Sequence, residues 1–86
     1  MRLRNSQVSW CELDGEAVVL DLKDSKYLSV NSAGTLLLRR LAKGDCTRDE
    51  LAEALFSEYD LESDRAFSDV DRFVDSLRGR NLLDEN

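Results

Sequence analysis

Glu16-Ala-Val-Val-Leu-Asp-Leu22, Lys23-Asp-Ser-Lys26, Tyr27-Leu-Ser-Val30 and Asn31-Ser-Ala-Gly34 read in order as a strand, a tight turn, a second strand and the capped start of a helix. The alternation is period two: Val18, Leu20 and Leu22 share one face, and Ala17, Val19 and Asp21 share the other. From Lys26 to Val30, Leu28 and Val30 point one way and Tyr27 and Ser29 the other. Asn31 carries the short side-chain oxygen favoured at a helix N-cap. Strand therefore runs into helix with no loop between them. A sheet edge is held beside helices, and an exposed edge is a ready site for an added peptide strand.

Upstream, Val8 to Leu13 fits a further strand, and Asp14-Gly15 is the positive-φ pair of a two-residue hairpin turn. Three consecutive strands with short turns predict an antiparallel meander. Downstream, Leu36, Leu37, Leu38 and Leu41 recur at helical spacing until Gly44 stops the helix. Gly34 in its first turn costs about 1 kcal/mol relative to alanine, which implies close backbone packing there. Thr47-Arg-Asp-Glu50 is a capping box, and Leu51, Ala54, Leu55, Phe56 and Tyr59 are expected on the buried face of a second helix. Ser63 or Asp64 is expected to cap a third helix that runs to about Arg80. Its apolar stripe is Ala66, Phe67, Val70, Phe73, Val74 and Leu77. At about 100° per residue the stripe covers an arc of roughly 120°, with Phe67 and Phe73 at opposite edges. An arc of this width is foremost core, with room for a second contact along one border.

Composition narrows the function. The 86 residues carry 18 acidic and 12 basic side chains, a net charge of −6, and no histidine. That balance opposes binding to phosphate backbones, and the missing histidine removes the commonest general base and metal ligand. Cys11 and Cys46 stand alone, too few for a zinc site, and are expected as packing residues rather than a disulfide. No apolar run approaches the roughly 20 residues of a membrane span. Met1-Arg-Leu-Arg-Asn-Ser lacks the apolar stretch of a signal peptide, so one cytoplasmic domain over residues 1–86 is expected.

Other constellations are weaker. Asp75-Ser76-Leu77 is similar to the attachment site of acyl carriers, but Ser76 lies inside a helix near the end of the chain. The second and third helices after a strand pair fit a winged-helix DNA-binding unit. Asp64, Asp69, Asp71 and Asp75 balance Arg65, Arg72, Arg78 and Arg80, however, where DNA would want an excess of base. Asp60-Leu-Glu62 and Asp84-Glu85 lack calcium-loop spacing and read as solvated charge. No catalytic residue, cofactor or metal site is expected.

The run Val19-Leu20-Asp21-Leu22, Tyr27-Leu28-Ser29-Val30-Asn31 and Gly34, then the leucine-rich helix ending at Gly44, resembles the PqqD-like proteins. Thr47-Arg-Asp-Glu-Leu-Ala-Glu-Ala-Leu55, Tyr59-Asp60, Asp69-Val70, Phe73-Val74, Leu77 and Asn81-Leu-Leu83 continue the likeness. Those proteins recognise the leaders of ribosomally made, modified peptides. Relatives carry Ile-Trp where this chain has Leu37-Leu38, and often an aromatic at the position of Leu28. The resemblance implies an α+β, winged-helix-like fold, with a three-stranded antiparallel N-terminal sheet packed on three helices. It also implies a leader peptide added antiparallel to the third strand, in the groove beside the third helix. The residues it nominates are Lys26, Tyr27, Leu28, Ser29 and Val30 of the strand, with Asp69, Val70, Phe73, Val74 and Leu77 of the helix. Which of the helix residues are groove and which are core stays open. The free-standing form is most similar to leader-binding proteins of lasso-peptide pathways, whose partner is a cysteine-protease leader peptidase. A peptide chaperone of quinone-cofactor (PQQ) biosynthesis is the alternative. Nucleic acid and membrane are not expected partners.

Overall fold

A computed structural model describes residues 1–85. Five strands and three helices follow in the order β1 (Arg2–Leu3), β2 (Val8–Leu13), β3 (Glu16–Asp21), β4 (Lys26–Val30), α1 (Ser32–Lys43), α2 (Arg48–Glu58), α3 (Ser63–Gly79) and β5 (Leu83–Asp84). The meander is present as read: β2, β3 and β4 form an antiparallel sheet in sequence order, with Trp10 opposite Val19 and Val19 opposite Leu28. Asp14 and Gly15 take φ of 55° and 82°, the left-handed pair that closes a tight hairpin. Asn31 caps α1 by accepting from the Gly34 N–H at 2.8 Å, and both halves of the Thr47–Glu50 capping box are formed.

Burial decides which face of the sheet is inside. Ala17, Val19 and Asp21 face the helices, so Leu20 and Leu22 lie exposed on the outer face with Tyr27. Helix α1 packs against the sheet and α2, while α2 packs against α3. Because α2 is contacted from two sides, Ala52 is fully buried with Leu51 and Leu55, whereas Ala54, Phe56 and Tyr59 of the expected face are only part-buried. Phe56 meets Phe67 edge-on with ring centroids 6.4 Å apart. The Arg48 guanidinium lies 4.4 Å from the Phe67 ring centre and forks onto Asp71 at 2.6 and 2.8 Å. Phe67 therefore belongs to the α2–α3 seam.

Three features depart from the sequence expectations. Helix α3 begins after Glu62, and no side chain caps it; Ser63 already lies inside the helix. Cys11 is exposed on the outer sheet face rather than packed, while Cys46 is buried, and burial pushes its thiol pKa up. The pair β1–β5 was not expected, since two residues per strand carry no periodicity; it sets Leu3 opposite Leu83.

Arg4 ties this second sheet to the first. Its guanidinium donates to the Asn81 carbonyl at 2.8 Å, the Ser6 carbonyl at 3.0 Å and Asp21 Oδ1 at 2.9 Å. The same carboxylate oxygen accepts from the Lys23 and Asp24 N–H groups and so shapes the β3–β4 turn. Burial works to raise the Asp21 pKa, but the Arg4 contact and the two backbone donors outweigh it, and the net shift is downward.

Candidate peptide-binding groove

Strand β4 is the outer strand of its sheet, so one side of its backbone has no strand partner among the described residues. Helix α3 runs alongside. Between them lies an open groove of about 530 Å³, floored by Leu28, Val30, Gly34 and Leu37 and walled by Asp69, Arg72 and Phe73. A smaller hollow of about 230 Å³ continues it past Leu28 to Lys26, Tyr27 and the turn after α3.

Gly34 sets the depth of the floor. A Cβ there would stand 3.1 Å from the Val30 Cβ and 3.3 Å from Phe73 Cδ1. The absence of a side chain lets the Phe73 ring rest close against the start of α1, where a Cβ would push it back by a few tenths of an ångström. The far wall is fixed by the end of α3. Asn81 takes a left-handed φ of 58°, with the Leu82 N–H donating to Leu77 O and the Asn81 N–H to Arg78 O, each at 3.0 Å. This Schellman closure turns the chain back under the helix and presents the Asn81 carbonyl to Arg4.

The nominated residues divide three ways. Leu28, Ser29, Val30, Asp69 and Phe73 line the main groove. Lys26 and Tyr27, again with Leu28, line the adjoining hollow. Val70, Val74 and Leu77 are 0%, 5% and 0% exposed and belong to the core with Ala66. The helical repeat explains the split: Ala66, Val70, Val74 and Leu77 form the inward stripe, and Asp69 and Phe73, each one position earlier, are turned about 100° toward β4. Arg65, Arg72 and Ser76 also line the groove, though from sequence they are weighed for other roles and not nominated for this one. The signal was there, since Arg65, Asp69, Arg72 and Ser76 follow at helical spacing beside Phe73. Counting charge over the whole helix, rather than by face, hid it.

The groove offers backbone edge, apolar floor and charged wall, the parts needed to hold an extended chain. Among the described residues no group of Cys, Asp and Glu is arranged to hold a metal ion. No helix of the described residues is long and apolar enough to cross a membrane.

Fold and groove together define a small winged-helix-like domain with an open strand edge. The profile of the family described as coenzyme PQQ synthesis protein D (PqqD) matches residues 16–83, and the chain belongs to that family. Among solved structures it is similar to a lasso peptide synthetase B1 complexed with its leader peptide, at 31% identity and a TM-score of 0.79, over 94% of this chain and 93% of that one. It shares its fold with TbiB1, solved in complex with the TbiA(beta) leader peptide. That match has 23% identity and a TM-score of 0.88, over 100% of this chain and 98% of that one. No curated protein sequence matches significantly.

Proposed function

We propose that this protein binds the leader peptide of a ribosomally made precursor, of the lasso-peptide kind, by strand addition to β4, and delivers it to a separate leader peptidase. The observation that carries the reading is the unpaired β4 edge lying along a groove floored by Leu28, Val30 and Gly34. Backbone hydrogen bonds to β4 would hold many sequences, and apolar leader side chains seated near Phe73 would choose among them. The 31% identity to a lasso peptide synthetase B1 solved with its leader favours this pathway over quinone-cofactor synthesis.

The protein contributes no chemistry in this reading. Its domain, residues 1–86, acts as an adaptor, raising the effective concentration of precursor at a cysteine-protease peptidase. Cys46 is buried with its thiol pKa raised, which opposes a nucleophilic role.

The test is amide hydrogen exchange on the protein with and without the precursor of its own gene neighbourhood. Strand addition protects alternate amides between Tyr27 and Asn31, and leaves the β2 edge unchanged. Uniform protection, or protection only in α3, would exclude strand addition. A leaderless core peptide should bind no better than an unrelated one.

A further inference from the structure

Eight of the nine arginines of this chain fall into two sets, and the ninth, Arg2 on β1, makes no ion pair among the described residues and lines neither hollow. Arg4, Arg39, Arg40, Arg48 and Arg78 are each committed to a carboxylate of another residue. Arg65, Arg72 and Arg80 make no ion pair among the described residues, and all three line the groove or its continuation. Lys26, also without an ion pair, joins them at the hollow. Against these four cations stand Asp69 and Asp24, since Asp21 is already neutralised by Arg4. In a protein of net charge −6, four of the seven Lys and Arg side chains without an ion pair among the described residues thus line one cleft, while Arg2, Lys23 and Lys43 do not.

From this we infer that the groove selects an acidic peptide, with carboxylates placed to meet Arg65 and Arg72. The inference rests on the peptide-binding reading and deepens it. An arginine fork pairs a carboxylate through two parallel hydrogen bonds, and the pair strengthens as the bound peptide excludes water. Spacing adds a pattern. Arg65 and Arg72 are separated by about 10.5 Å along the axis of α3. Same-face residues of an extended strand repeat about every 6.8 Å. Asp69 lies between the two arginines and repels an acid opposite it. Acidic side chains four residues apart stand about 13.6 Å from each other, a span that the two long arginine side chains can meet by splaying about 1.5 Å each, and the residue midway on the same face, opposite Asp69, is non-acidic. The apolar floor of Leu28 and Val30, with Phe73 in the wall beside it, fits a peptide better than a polynucleotide.

The experiment is a display selection with random dodecapeptides against the wild-type protein, followed by fluorescence anisotropy on one enriched peptide. Enrichment of Asp or Glu at positions four apart, lost in the Arg65→Gln/Arg72→Gln variant, supports the inference. In the enriched peptide, Glu→Gln at either position should weaken binding to wild type by about tenfold or more. The same exchange should change nothing in the double variant, and wild-type affinity should fall as salt rises. Both arginines are exposed, and circular dichroism of the variant should match the parent. Enrichment of neutral or basic peptides, or equal affinity for the Glu and Gln forms, overturns the acidic preference and leaves peptide binding standing. Displacement of the peptide by single-stranded DNA at equal charge overturns it in favour of a phosphate ligand. Selection of no peptide at all overturns both readings.

Discussion

Gly34 and Phe73 act as a pair, because the ring rests close on α1 where the helix has no side chain. Alanine at position 34 would remove a helix penalty of about 1 kcal/mol. It would also place a Cβ 3.3 Å from Phe73 Cδ1, whose ring can yield toward the groove, and 3.1 Å from Val30 Cβ, a crowding that offsets the helix gain. Gly34→Ala should therefore keep a Tm near the parent's while weakening peptide binding, as read by calorimetry on the two. Phe73→Ala removes the anchor itself; a loss of about 2 kcal/mol in binding with a smaller effect on unfolding is expected. A large fall in Tm with unchanged affinity would assign Phe73 to the core instead. Arg4 and Asp21 are the other decisive residues, and their signature is pH. The folded pKa of Asp21 lies below its ordinary 3.8, so its contribution to stability is complete above that value and is lost as pH falls through the lower, folded one. In urea unfolding followed across the acid range, Asp21→Asn should flatten the decline of the parent below pH 3.8. An unaltered slope would place the acid sensitivity elsewhere. Arg4 was not legible in advance, since Asp21 and Asn81, the partners that give it its role, lie on segments that only folding brings to it.

At the scale of elements, the closing turn of α3 sets how far its wall stands from β4. Asn81 holds the left-handed conformation there, which costs other L-residues roughly 1–2 kcal/mol. Asn81→Val should lower stability by about that amount, and Asn81→Gly should hold or raise it, both measured by urea melts. Equal losses for valine and glycine would mean that the Asn81 side chain matters rather than its backbone. The elements themselves were largely readable, for local reasons. Alternation in β3, the Asp14-Gly15 turn, the Asn31 cap and the Thr47–Glu50 box are each written within a few residues of sequence. What stayed hidden depends on partners distant in sequence. The choice of Val19 over Leu20 as the buried face is made by the helices, and β1 and β5 exist only against each other. The groove was half legible: Phe73 and Asp69 follow from their place on the helix, whereas Val70, Val74 and Leu77 could be sorted into the core only once α2 was in position.

For the whole molecule, an adaptor predicts a particular kinetic response. Adding the protein to peptidase and full-length precursor should raise the cleavage rate most at low precursor concentration, and a leaderless substrate should gain nothing. The Cys11→Ser/Cys46→Ser variant should stimulate equally; cleavage by the protein alone, lost in that variant, would make it an enzyme. The open side of β4 has one more consequence, for colloidal behaviour. Proteins commonly guard such a strand with proline, yet this chain contains none, and Lys26 is the one lysine on β4. Mutual repulsion from the excess negative charge is then the main guard against stacking, and it vanishes near the isoelectric point of about 4.5. Turbidity should peak there for the empty protein and be suppressed by a groove-filling peptide, making the ligand double as an excipient.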